Sequence, residues 1–178
     1  MLTVLMECGA DDQGVAATLA TLVPGAVEGV VREVVLIDRQ MSAESRKVAD
    51  HAGCRIVAPA DLRTVVASAR GEWLLLLEPG ARLQPGWIEA VIEHGDAVAR
   101  GNPRNPAARF ARSRADRPGF FERLRQVRGA LAEGFLMPKP QAVGRARTAS
   151  SLEAMARGLA VVTLPADIRP APASRARR

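Results

Sequence analysis

The chain of 178 residues is of a length for one compact domain, and its 48% hydrophobic content supplies a sizeable core. A formal net charge of +6, carried almost wholly by arginine, favours phosphate- or carboxylate-bearing partners, although a high-GC coding bias also enriches Ala, Arg, Gly and Pro together; 3% aromatics and no tyrosine weigh against base stacking, so nucleic acid is not expected as a partner. Cys8 and Cys54 lie at neither metal nor redox spacing, no apolar run approaches the roughly 18 residues of a membrane span, and the N-terminal residues lack signal-peptide features, so small buried cysteines and a cytoplasmic location are expected.

Residues 2–6 form a short apolar run that reads as a first strand, ending at Glu7. A helix is expected from about Gln13, with Val15, Leu19, Leu22 and Val23 on one face and a stop at Pro24-Gly25. Residues 30–37 read as a second strand, continuous enough to be buried on both faces and closed by Asp38. Ser42 caps a further helix that ends at Gly53, residues 54–57 make a third strand, and residues 61–69 another helix. Trp73–Leu77, between Gly71 and Pro79-Gly80, is expected to be the innermost strand. In open α/β sheets ligands sit beyond the carboxyl ends of the strands, so Glu78 should face the ligand.

A short helix is expected over residues 87–93, and His51 and His94 read as solvated surface histidines. Residues 100–119, rich in Arg, Asn and Pro, read as a mobile basic loop or edge excursion, followed by an amphipathic helix over residues 120–131. Residues 152–157 suggest a helix, residues 159–164 a strand, and residues 166–178 a Pro/Arg-rich, disordered tail behind a single domain of residues 1–165. The alternation of strand and helix over the first half makes the fold class α/β with a mostly parallel sheet.

With these elements placed, the chain resembles family 2 glycosyltransferases of the GT-A fold. The resemblance rests on Leu2-Thr-Val-Leu-Met, Val31-Arg-Glu-Val-Val-Leu-Ile-Asp38 and Arg70-Gly-Glu-Trp-Leu-Leu-Leu-Leu-Glu-Pro-Gly-Ala-Arg-Leu-Gln-Pro-Gly-Trp87. It runs in order from Leu2 to about Val91, with fainter echoes at Pro118-Gly-Phe-Phe and Gly134-Phe-Leu-Met-Pro-Lys139. It implies a nucleotide-diphosphate sugar donor, with Glu7 and Asp38 on the base and ribose and Glu78 beside a Mn or Mg ion that holds the diphosphate. The family's second metal carboxylate falls on Gly80, and its acidic general-base pair falls near Thr148 and Ser151, with Glu153 the nearest acid but inside a helix.

The expectation is therefore a glycosyltransferase-like protein with impaired sugar transfer. The alternative is a non-catalytic binding or scaffold protein that works through the basic segment from Arg100 to Arg128, on an anionic membrane surface or a phosphate-bearing partner. Taken residue by residue, Glu7, Asp38 and Glu78 are each also compatible with ordinary turn or capping duty.

Overall fold

A computed structural model of the chain describes residues 1–10, 12–58, 62–102, 105–113 and 129–172. Strand β1 (Leu2–Cys8) is followed by α1 (Asp12–Val27), β2 (Val31–Asp38), α2 (Ala43–His51), β3 (Arg55–Val57), α3 (Leu62–Ala67) and β4 (Trp73–Leu77). The second half contains β5 (Arg82–Leu83), α4 (Trp87–Ala99), β6 (Ala108–Arg112), β7 (Phe135–Pro138), α5 (Lys139–Arg145), α6 (Leu152–Ala156) and β8 (Val162–Arg169). The strands form one sheet in the order β3-β2-β1-β4-β7-β6-β8-β5.

The first four strands in that order are parallel, as expected, and β4 is interior to the sheet. From β1 the chain winds outward through β2 to β3, then returns to place β4 on the other side of β1. This reversal is the switch point at which the loops after β1 and β4 leave a crevice at the carboxyl edge. Beyond β4 the sheet becomes mixed: β7 is antiparallel to β4 and β6, whereas β6 and β8 are parallel.

Side chains alternate between the two faces with the strand period of two. Val4, Met6, Leu75 and Leu77 pack with Val15, Leu19 and Leu22 of α1 and Trp87 and Val91 of α4. Leu5, Leu74 and Leu76 pack with Val65 and Val66 of α3, Ala142 of α5 and Leu152 and Met155 of α6. Both faces are thus covered, which explains why β4 is an uninterrupted run of leucine.

Several expected boundaries shift for identifiable reasons. Helix α1 passes through Pro24 to Val27, because Pro24 is exposed and the carbonyl it leaves without a helical donor belongs to Ala20, which is exposed to solvent. Its last turn is fixed by packing: a Cβ on Gly25 would lie 2.5 Å from Trp87. Helix α4 continues to Ala99, and His94 is buried rather than solvated. The His94 ring meets Trp73 edge-on at 5.7 Å, and its Nε2 hydrogen donates to the Pro106 carbonyl at 2.8 Å.

Within the expected basic loop, Ala108–Arg112 is strand β6 inside the sheet, with Ala108 and Phe110 fully buried and Arg109 turned outward to Glu133 at 3.1 Å. Strand β8 runs through Pro165 to Arg169 instead of ending at Leu164. Its pairing with β6 jumps from Phe110↔Leu164 to Ala111↔Asp167, so Pro165 and Ala166 form a bulge where no ladder donor is needed. The expected tail therefore starts later than residue 166, since Ala166 and Ile168 are core residues. Most of the expected 120–131 helix lies outside the described residues.

The return of β4 to β1 depends on Gly71. A Cβ there would stand 2.5 Å from the Thr3 nitrogen and 2.7 Å from the Leu2 carbonyl carbon, both backbone atoms that cannot yield independently. Gly71→Ala is expected to lower stability by about 2–3 kcal/mol through overpacking. Gly144→Ala, in α5 with open space around it, should instead gain up to about 1 kcal/mol of helix propensity. Denaturant midpoints of the two variants measure the contrast.

Candidate functional site

The register between β1 and β4 ends at Met6↔Leu77, on the face covered by α1 and α4. One more residue along each strand reverses the face, which sends Glu7 and Glu78 together toward α6. There they line one cavity of about 350 Å³ with Leu77, Pro79, Gly129, Leu131, Glu153 and Arg157. The position expected from the carboxyl edge of the central strand is therefore occupied by two strand-end acids and a third, Glu153, delivered by α6.

The three carboxylates are held differently. Arg39 donates to Glu7 Oε1 at 2.8 Å, and the Leu152 N–H donates to Glu7 Oε2 at 3.3 Å, so Glu7 joins β1 to the start of α6. Glu153 accepts from the Ala130 N–H at 2.6 Å on Oε1 and from the Leu131 N–H at 3.1 Å on Oε2, with Arg157 a further 3.5 Å contact on Oε1. Glu78 has no hydrogen-bond or ion-pair partner among the described residues. Burial, followed by the neighbouring charge of Glu153, pushes its carboxyl above the ordinary 4.5.

Gly129 lies between the last two acids. A Cβ there would be 3.1 Å from both Glu78 Oε1 and Glu153 Oε2, so only a residue without a side chain lets the two carboxylates share this wall freely. Helix α6, which carries Glu153, is itself clamped. Ser151 caps it by accepting from the Ala154 N–H, and Arg145 donates to the carbonyls of Ala154, Met155 and Arg157. These bonds fix a five-residue helix too short to persist on propensity alone.

Asp38 ends β2 opposite Cys8, one strand away from the cavity, and does not line it. Its Oδ1 accepts from the Met41 N–H at 2.8 Å, and its Oδ2 is paired with Arg46. The Met41 bond first, against an opposing desolvation effect and with help from Arg46, holds its carboxyl below the ordinary 3.8. Thr148 is exposed in a turn and Ser151 caps α6, and neither lines the cavity.

The segment from Glu78 to Ala81 shows why residue 80 is a glycine. The Ala81 N–H donates to the Glu78 carbonyl at 3.0 Å across Pro79 and Gly80, and Gly80 has φ of 99°, the pattern of a type II turn. The Gly80 N–H is buried on Thr18 Oγ1 at 2.8 Å, and a Cβ on Gly80 would meet Pro172 Cδ at 3.1 Å. Among the described residues no group of three His, Cys, Asp or Glu side chains could hold a metal ion. At the position where the resemblance implies a second metal carboxylate, Gly80 offers no side-chain oxygen.

The basic segment from Arg100 to Arg128 falls largely outside the described residues, and its described Arg109 is committed to Glu133. No described helix is long and apolar enough to cross a membrane.

No protein-family model matches the chain, and no curated protein matches its sequence. Its fold is shared with solved structures. Glucosyl-3-phosphoglycerate synthase from Mycobacterium tuberculosis superposes with a TM-score of 0.58 at 14% identity, over all of this chain and 73% of that one. The same synthase in complex with Mn2+, uridine diphosphate (UDP) and phosphoglyceric acid gives 0.54 at 12% identity, over 80% of this chain and 57% of that one. Mannosyl-3-phosphoglycerate synthase from Rubrobacter xylanophilus gives 0.57 at 12% identity, over 80% and 55%. This chain thus spans less than two thirds of the length of the synthase complex. The likeness carries the fold, which is a GT-A-like α/β fold.

The opposite displacements of Asp38 and Glu78 predict opposite pH signatures. Asp38, lowered in the folded state, contributes stability that is present above its unfolded value and lost as pH falls through its folded one. Asp38→Asn should therefore be less stable than wild type at pH 7, with the gap narrowing below pH 3.8. Glu78, raised in the folded state, opposes folding when ionised, and that opposition fades as acid protonates it. Glu78→Gln should raise the unfolding midpoint at pH 8 and lose that advantage near pH 4.5. In Glu153→Gln the Glu78 titration, followed by side-chain carboxyl NMR, should move down.

Proposed function

We propose that this chain is a glycosyltransferase-like protein that binds a nucleoside-diphosphate sugar across the carboxyl edge of β1, β2 and β4, with sugar transfer impaired. The observation that carries the reading is the meeting of Glu7 and Glu78 in one cavity at the switch point of a GT-A-like sheet. Glu7, half-buried and held in place by Arg39, offers the base a fixed acceptor. Asp38 keeps lone pairs beyond those taken by Met41 and Arg46, and a ribose hydroxyl can donate to them. Glu78, the carboxylate without a described partner, faces the sugar and diphosphate portion of the donor.

Impairment follows from the two positions that lack acids. Gly80 offers no oxygen for a cation, and Thr148 and Ser151 offer no carboxylate to accept a proton from an acceptor hydroxyl. Glu153 is the nearest acid to that second position, and both its oxygens already receive backbone N–H donors. Deprotonating a sugar hydroxyl needs a base within hydrogen-bond reach and free to take the proton. Glu78 is the described side chain that best meets the second condition.

Amide chemical-shift mapping tests the donor site. Adding UDP to the labelled chain should move the amide resonances of residues 7–9, 38–40, 78, 80 and 81 while leaving those of α5 in place. Glu7→Ala should weaken the apparent affinity about tenfold, the loss of roughly one charged hydrogen bond. No shift at any of these positions at millimolar UDP refutes the reading.

A further inference from the structure

The donor site proposed above leaves open what balances the charge of a diphosphate, and this inference rests on that reading. A divalent cation on a diphosphate takes ligands from the phosphates and from water, and usually one or two protein carboxylates besides. Here two of the three carboxylates that line the cavity are already held by other donors. Glu7 is divided between Arg39 and the Leu152 N–H, and Glu153 between the Ala130 and Leu131 N–H groups. That leaves Glu78. The place of a second side chain on its turn is closed, because Gly80 carries a left-handed φ and Pro172 packs over it.

Among the described residues one cationic side chain lines the same cavity. Arg157, at the end of α6, has a side chain 76% exposed, and its contact with Glu153 is 3.5 Å long. It shares Glu153 Oε1 with the much closer Ala130 N–H at 2.6 Å. An exposed pair at i,i+4 spacing contributes little, so the guanidinium can turn away at small cost. Glu153 then retains both backbone donors. The backbone of Arg157 stays fixed, because its carbonyl accepts from Arg145 at 2.7 Å. A planar guanidinium presents paired N–H donors that match two phosphate oxygens.

We propose that Arg157 serves in place of a divalent cation: its guanidinium holds the phosphate of the nucleotide donor, and nucleotide binding by this protein is independent of divalent metal. The α6 clamp gives the arginine a fixed root, and the long, exposed side chain gives it reach into the cavity.

Calorimetric titration of the full chain with UDP, once in excess EDTA and once in Mn2+, tests this. Affinities agreeing within about twofold between the two media support the proposal, and Arg157→Ala should then bind about tenfold more weakly in both. Arg157→Lys, which keeps the charge but loses the fork, should fall between wild type and Arg157→Ala. Circular dichroism melting should show the variants folded, as expected for an exposed side chain. Binding at least tenfold tighter in Mn2+ than in EDTA overturns the metal-independent site while leaving the donor reading intact. An Arg157→Ala affinity equal to wild type overturns the role of the arginine. No heat in either medium for wild type overturns the donor site and this inference together.

Discussion

Strand β4 lies beside β1 because residue 71 has no side chain. The chain arrives from α3 and must enter the sheet against the backbone of residues 1–3, where the Met1 carbonyl accepts the N–H groups of Glu72 and Trp73 at 3.0 and 3.2 Å. The Gly71 N–H reaches Thr3 Oγ1 at 2.8 Å, and that hydroxyl donates to Glu33 of β2 at 3.0 Å. One small corner therefore joins three strands. With β4 locked in register, the reversal of strand order is set, and the residues after Met6 and Leu77 must emerge side by side at the opposite edge. The meeting of Glu7 and Glu78 follows from a close backbone contact at the far end of the same two strands.

The parts of this arrangement that depend on local pattern were legible in the sequence. The run Trp73–Leu77 is continuous, apolar and bounded by Gly and Pro-Gly, and it is a strand with those bounds. The Ser42 cap is likewise a local signal, with Ser42 Oγ accepting from the Ser45 N–H. Strand β6 was hidden because one of its two buried residues is an alanine and two of its other three are arginines, so Ala108–Arg112 carries the composition of a loop. Pro165 concealed the length of β8, since a proline reads as a strand terminator unless a bulge absorbs it. His94 was misplaced because its burial is decided by Trp73 and Pro106, neither of which is a neighbour on its helix.

Glu153 illustrates why the site was only half readable. An acid within a short amphipathic helix has the local pattern of a solvated face. Its role is set by two N–H groups at Ala130 and Leu131 and by a glycine at 129, all remote in sequence and meaningful only after folding. Glu7 and Glu78, by contrast, are placed by strand geometry, which a sequence displays as a carboxylate following an apolar run. Asp38 shares that pattern, yet the fold sets it one strand aside from the cavity and commits it to Met41 and Arg46. Strand-end position thus locates an acid at the edge without deciding whether the acid faces a ligand or closes a turn.

The turn after β4 shows the same division between backbone and side-chain requirements. A ligating carboxylate at residue 80 needs a side chain aimed at the edge, whereas Pro79 at the second position of the turn and a φ of 99° at the third favour glycine. The Gly80 N–H is buried on Thr18, whose hydroxyl in turn donates to the Gly14 carbonyl of α1, so the turn is anchored to the helix beneath it. Beyond β8 the chain passes over the same spot, with Ala171 and Pro172 filling the space a side chain would enter. An aspartate at residue 80 would thus require a different backbone turn and a displaced Pro172 at once. The absence of a side chain at residue 80 is therefore built into the packing of α1, β4 and the end of β8 together.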